Sequence, residues 1–445
     1  MTLAAGSVVR TLALHALAGA ALMATAGLAS AQSLKELYDA ARGYDATYLA
    51  ARALAESAQY KLEQGRAESR PAVGLEASAV HAESHDGLQG STSTNSYSAS
   101  AKARYWLFNR GVSTGISQAE KLAIASQADF QTAEQDLIVR VAQAYFDVLA
   151  AQDSLSTAQA SKKAISEQLA SAKRNFEVGT ATITDTREAQ ARYDLATAQE
   201  IAADNDLRTK RIALDQLVGR NAVTPLALKA PVLLPPLAPV NPDDLVKFVD
   251  EAPGVRKAQL GYEVAKLETE KARNAALPTL QLTGGLGGSR GNGTDTLNRA
   301  GNALSASVGV ALAMPLYSGG LIDNRQKETV ALEEQARNTF EAARRTVAQG
   351  TRQAFFGVQS GQAQVKALEA AESSSKLALE ATQLGYRVGV RVNLDVLNAQ
   401  TQLYTTQRDL ARARYDVILN SLKLRQAAGV LAAGDLEATN ALLAK

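Results

Sequence analysis

The chain has 445 residues with 47 basic and 45 acidic side chains, three histidines and no cysteine. The missing cysteines exclude a disulfide framework, a thiolate metal site, a catalytic thiol and lipid attachment at an N-terminal cysteine. The near balance of charge excludes a nucleic-acid binder that relies on many phosphate contacts, so proteins and lipid are the partners expected.

Residues 1–31 have the build of a secretory signal peptide: Arg10, an apolar run from Leu12 to Leu28, then Ala29-Ser-Ala31 as a small-residue cleavage site. The mature chain is expected to begin at Gln32, with a single retained membrane anchor as the alternative. Loss of Arg10 takes 47 basic residues to 46, against 45 acidic ones.

Leu34 to about Arg66 is rich in Ala, Leu, Glu and Lys and stops before Pro71, which predicts one long helix. Residues 72–107 change period. Val73, Leu75, Ala77 and Ala79, and then Tyr97 to Leu107, alternate with small or polar residues, so a pair of strands is predicted around a polar segment from Gly87 to Asn95. From Gly111 to Phe176 the period is helical and heptad-like, with alanine at many seam positions, over about 100 Å at 1.5 Å per residue. A tight break at Val178-Gly179 follows, then a returning helix from Thr184 to Leu217. Residues 221–242 carry six prolines and form a crossing that cannot be helical throughout.

The programme then repeats. Asp243 to Ala276 is mainly helical, and residues 280–317 form a second strand pair around a glycine-rich loop from Gly287 to Gly301. A very long helix runs from Gly320 to Tyr386, and its partner returns from Asn393 to about Ala428. At an offset of 210 residues, Val178, Gly179, Asp185, Ala189, Gln190 and Gly219 recur as Val388, Gly389, Asp395, Ala399, Gln400 and Gly429. The halves 32–220 and 243–430 are therefore two copies of one unit within a single protomer, 32–445. The strand-to-helix corners also match, Leu107-Phe-Asn-Arg-Gly111 with Leu316-Tyr-Ser-Gly-Gly320, and place Tyr105, Trp106, Phe108 and Tyr317 where a membrane barrel carries its interfacial aromatics.

After residue 31 no stretch is long and apolar enough for a membrane helix, so any span must be made of strands. A spanning sheet must close, and single-chain barrels start at eight strands. Four strands per chain require several copies, and three would give a twelve-stranded barrel continuous with twelve helical segments.

Gln143-Ala-Tyr-Phe-Asp147, Phe176-Glu-Val-Gly179, Leu316-Tyr-Ser-Gly-Gly320, Tyr386-Arg-Val-Gly389 and Ala413-Arg-Tyr-Asp416, in this order, resemble the TolC family of outer-membrane efflux and secretion channels. The resemblance spans essentially all of 32–445. It implies a mainly α protein with membrane β structure: a homotrimeric channel-tunnel with a shared 12-stranded barrel, a long α-helical barrel through the periplasm, and an equatorial band built from the proline-rich crossing and the C-terminal residues. It also implies docking to a periplasmic adaptor and an inner-membrane transporter, with drugs, metals or secreted proteins as cargo. By position, the entrance constriction falls on Asp395 and Asn398. The second of these is acidic in the family, so this chain carries half the formal charge. The latch positions are Thr184, Asp185, Tyr386 and Arg391.

Rival readings rest on less. His81-Ala-Glu-Ser-His85 sets three possible metal ligands on one strand face, but zinc sites need ligands that converge. Gly284 to Gly293 lacks the Gly-Lys-Ser/Thr of a phosphate loop and is expected to join two strands. Neither supports an enzyme or a cofactor. A structural periplasmic coiled-coil protein is the alternative from another class, and it has no use for two amphipathic strand pairs.

Overall fold

The computed structural model describes residues 31–86, 90–232, 234, 236–237, 241–293 and 301–444. All of the expected signal segment except Ala31 lies outside these residues.

The first half runs through α1 (Leu34–Tyr44), α2 (Ala46–Ala67), β1 (Ala72–Asp86), β2 (Gly90–Phe108), α3 (Arg110–Glu177) and α4 (Ile183–Val218). The second runs through α5 (Pro242–Val246), a 3-10 turn at Val249–Glu251, α6 (Pro253–Asn274), β3 (Thr279–Gly293), β4 (Gly301–Ala313), α7 (Leu321–Arg387) and α8 (Asn393–Ala427), before a short α9 (Asp435–Asn440). At 68 and 67 residues, α3 and α7 each extend about 100 Å.

The single helix expected over 34–66 is two helices broken at Asp45, whose backbone is extended (φ −61°, ψ 114°). Asp45 caps α2 by accepting the Tyr48 amide at 2.8 Å. Its carboxylate also takes both guanidinium nitrogens of Arg140 on α3, each at 2.9 Å. The sequence pattern misses this break because strong helix formers flank it and the ion pair that fixes it comes from 95 residues away.

The sheet has the order β1-β2-β3-β4, antiparallel throughout, so the two halves of the chain meet at β2 and β3. Register divides the faces of the half of the sheet nearest the helices. Val73, Leu75, Ala101, Ala103, Leu282, Leu286, Val308 and Val310 share one face, and Glu76, Ser98, Ser100, Lys102, Thr283, Ser305 and Ser307 share the other. The large apolar side chains on the first face are exposed in the single chain. Three expectations are corrected. Gly287 to Gly293 is strand, not loop, and its amides serve the β3 ladders rather than a phosphate. Opposite Gly287 the Ser100 Cβ would lie 3.1 Å from an added Cβ, so the glycines admit close neighbours. The strand pair of 280–317 ends at Ala313, because Pro315 has no amide to donate. The polar segment Gly87 to Asn95 is mostly strand β2, and residues 87–89 lie outside the described residues.

The main core sits halfway along the long helices. Leu137, Ile138, Val141, Tyr145 and Phe146 of α3 are buried against Leu34, Leu37 and Tyr38 of α1, Ile418 and Leu422 of α8, and Leu436 and Leu443 near the C-terminus. Tyr145 Oη donates toward the backbone oxygens of Gln32 (3.2 Å) and Leu226 (2.9 Å), and Leu228 bridges Leu443. The start of the proline-rich crossing and the C-terminal stretch thus wrap the same girdle. With about 1.5–3 kcal/mol for each large apolar side chain buried, this girdle anchors the fold. Toward the helix turns the buried cluster shrinks to Ile165, Leu169, Ala172, Ala189, Ala196 and Leu397.

Candidate functional site at the helix turns

Both long helices end in the same motif. Gly179 and Gly389 are left-handed (φ 78° and 83°), a conformation that glycine adopts without a Cβ penalty. The Gly179 amide donates to Phe176 O at 3.0 Å and that of Thr180 to Asn175 O at 2.8 Å; Gly389 to Tyr386 O (3.2 Å) and Val390 to Gly385 O (2.9 Å) repeat the pattern. Val178 and Val388 occupy the turn itself and are largely exposed. The two turns are superposable in bonding and differ in side chains.

The next helices start with Asp185 and Asp395 at matching positions. Asp185 and Thr182 cap each other: Thr182 Oγ1 and its amide donate to Asp185 Oδ2 (2.7 and 3.0 Å), and the Asp185 amide donates to Thr182 Oγ1 (3.2 Å). The matching cap in the second repeat is Val392, which offers no acceptor. With no hydroxyl at Val392 to donate, Asp395 accepts, among the described residues, only the Val392 amide, at 3.4 Å, and lies 3.7 Å from Arg391 Nη1.

The two repeats touch here along one side of α8. Leu397 is fully buried, between α3 and α4. Asn393, 2% exposed, accepts from Gln168 Nε2 and donates to the backbone oxygen of Asp185 at 3.4 Å. Asn175 Nδ2 donates to Tyr386 Oη at 3.1 Å, and Arg192 Nη2 to Asn398 Oδ1 at 3.0 Å. Thr186 Oγ1 and Gln400 Oε1 are buried without a partner among the described residues, a cost that weakens this contact.

Within one chain, the fold thus brings Tyr386 to Asn175, Asp395 to Arg391 and Asn398 to Arg192. Arg391 is not brought to Asp185, whose carboxylate is occupied by the cap, and Thr184 is exposed. Asp395 is the one acid of the expected constriction pair and lies beside the Arg391 guanidinium, while Asn398 accepts from that of Arg192.

Of the expected interfacial aromatics, Tyr105 and Phe108 stand opposite Leu282 and Leu280 on the apolar face, the latter through a bulge at Leu107. Trp106 stands opposite Gln281 on the polar face, and Tyr317 lies four residues beyond the end of β4, 91% exposed. His81 bonds Asn95 (2.7 Å) and Glu83 (3.5 Å), and among the described residues no group of three His, Asp or Glu could hold a metal ion. No described helix is long and apolar enough to cross a membrane.

The family model for outer membrane efflux proteins matches residues 37–220 and again 246–430. The chain belongs to the outer membrane efflux protein family. It is 31% identical to outer membrane protein TolC of Escherichia coli over 96% of this chain and 88% of that one. It is 35% identical to the alkaline protease secretion protein AprF of Pseudomonas aeruginosa over 73% of this chain and 66% of that one. The outer membrane protein VceC of Vibrio cholerae, a solved structure at 20% identity, shares the fold with a TM-score of 0.75 over 89% of this chain and 96% of that one. As an outer membrane efflux protein the chain is a channel component, an exit duct of the outer membrane used in efflux or type I secretion. The purely structural coiled-coil alternative fails on the same match and on the four-stranded sheet.

Sequence reasoning missed Asn175, Gln168, Asn393, Arg192 and Leu397. Only Leu397, apolar beside Leu394 and Val396, carries a periodic signal, and that signal does not say which neighbour it meets.

Proposed function

We propose that three copies of this outer membrane efflux protein form one duct, each a single protomer of two repeats (32–220 and 243–430) after removal of residues 1–31. The observation that carries this reading is the four-stranded sheet whose outer edges, at β1 and β4, have no partner among the described residues and whose apolar face is uncovered. Unpaired strand edges cannot rest in hydrocarbon, so β1 of one chain pairs with β4 of the next. Ile183, Ile201 and Ile212, exposed on α4 at whole-turn spacings, supply an apolar stripe for a neighbouring helix pair.

In this reading the helix turns at Val178-Gly179 and Val388-Gly389 face the periplasm and dock on an adaptor that links the duct to an inner-membrane transporter. Asp395 and Asn398 ring the entrance. Tyr386, Arg391, Asp185 and Thr184 hold it closed, with Asn175 as the partner of Tyr386. The Arg192–Asn398 bond supports a constriction of weak charge, because an amide stands where a second carboxylate would attract cations.

Deleting either strand pair, 72–107 or 280–317, tests the shared barrel: trimers and outer-membrane insertion are expected to disappear together. Recovery of membrane-inserted trimers from either deletion would contradict the reading.

A further inference from the structure

On the polar face of the sheet, the charged side chains between Gly74 and Val80 of β1 and between Ser96 and Trp106 of β2 are Glu76, Lys102 and Arg104. Lys102 Nζ donates to Glu76 Oε2 at 2.6 Å, so these two neutralise each other. Arg104 is exposed and has no hydrogen-bond or ionic partner among the described residues. Its register partner on β1 is Ala72, four residues from Glu76 and so about 13 Å away along the strand, beyond ion-pair reach. Nor can the adjoining copy supply a counter-charge through β4, whose polar face carries Ser305, Ser307, Gly309 and Ala311.

The surroundings of Arg104 are shaped as well as charged. Lys102 stands opposite Gly74 on one side and Gly285 on the other, and Arg104 opposite Thr283, whose own partner is Gly309. Glycines leave the sheet floor open beneath the two longest side chains. The result is a depression of about 760 Å³ lined by Glu76, Lys102, Arg104, Gln281, Thr283 and Ser305 among others. The Gln281 amide thus flanks an uncompensated guanidinium, whose fork matches the two oxygens of a carboxylate or phosphate, while the Thr283 and Ser305 hydroxyls donate to the Gly309 and Gly287 carbonyls, each at 3.3 Å.

We infer that this depression is an oxyanion subsite inside the barrel, with Arg104 as its specificity-determining residue, for the carboxylate or phosphate groups of exported solutes. The inference rests on the three-copy duct, in which the polar faces of three sheets line one lumen and hold three such sites at one level. An uncompensated cation ring in a confined lumen draws anions toward the exit. It stands at the opposite end of the long helices from Asp395, so the two ends of the duct impose different charge preferences.

The test is single-channel conductance of the full-length trimer in planar bilayers, with tripolyphosphate added on the strand side. Concentration-dependent block is expected for the parent channel. Arg104→Gln should raise the half-blocking concentration about tenfold or more, while Arg104→Lys keeps part of the block. Thr283→Asp, which sets a carboxylate opposite Arg104, should have the same effect as Arg104→Gln and covers the case in which that variant inserts poorly. Equal block in the parent and in either neutralising variant, or no block in the parent, overturns the subsite while leaving the duct intact. Failure of the parent chain to form a conducting trimer strikes the duct itself.

Discussion

Asn175 and Tyr386, 211 residues apart, meet at the ends of the two long helices, where the Asn175 amide donates to the tyrosine oxygen at 3.1 Å. The bond joins the first repeat to the second at the place where the buried core is thinnest. One neutral hydrogen bond contributes about 1 kcal/mol to folding, small beside the central girdle but comparable with the gap between two states of a gate. Tyr386→Phe is expected to raise open-channel conductance and antibiotic leakage while leaving trimer melting nearly unchanged. Bilayer recordings beside a melting profile check this; unchanged conductance in an intact trimer would remove Tyr386 from the latch.

Leu397, fully buried, is the second repeat's residue in the apolar cluster at the same contact. Leu397→Ala should cost about 2–5 kcal/mol at that contact and raise conductance more than Tyr386→Phe does. Hydrogen exchange should speed up at the starts of α4 and α8 and not at the girdle. Faster exchange at the girdle would mean that Leu397 serves the whole fold.

The four repeat-related glycines are predicted to differ in cost. At Gly179 and Gly389 nothing lies within 4 Å of an added Cβ, so alanine there meets only the left-handed backbone penalty of about 1–2 kcal/mol. At Gly429 the Cβ would fall 2.4 Å from Ala252 Cα, and at Gly219 2.4 Å from the Tyr44 ring. Thermal melting should therefore rank Gly429→Ala as the most damaging, since backbone cannot swing aside as a ring can. Equal losses at Gly389 and Gly429 would contradict the close packing.

Asp153 and Asp45 should give opposite pH dependences. Burial raises the Asp153 carboxyl above its ordinary range, against a 2.6 Å hydrogen bond from Tyr415 Oη. Its contribution to stability is present below the unfolded-state value and lost as pH rises through the folded-state value. Asp153→Asn, which keeps an acceptor for Tyr415, should gain on the parent as pH rises from acid to neutral. The Arg140 hydrogen bonds hold Asp45 low, so its contribution is present above the unfolded-state value and is lost as pH falls. Melting curves of Asp153→Asn and Asp45→Asn across acidic pH should diverge from the parent in opposite directions; parallel shifts would refute the assignment.

The sequence exposed what local chemistry decides. Val178-Gly179 and Val388-Gly389 were legible because a left-handed residue after a long helical pattern needs glycine. The sheet faces were legible because register follows alternation. Gly287 to Gly293 was not, because glycine scores poorly as strand and only the close approach of Ser100 and Ser305 explains it. At the turns, Asp395 and Tyr386 could be found by position. The partner of Tyr386, Asn175, depends on how the repeats pack, whereas Arg391 stands four residues before Asp395 in the same turn; the added Cβ of Gly385 would lie 2.8 Å from Arg391 Cγ, and the matching pair in the first repeat is Asn175 with Ala181. One repeat trades bulk at the helix end for an arginine, and no single-chain pattern announces that exchange.

The most direct measurement is the native mass of the full chain extracted in detergent from outer membranes. Three copies per particle are expected, because four strands with open edges at β1 and β4 cannot close alone. A folded, membrane-inserted particle holding a single copy would contradict the shared barrel and, with it, the entrance and the lumenal subsite.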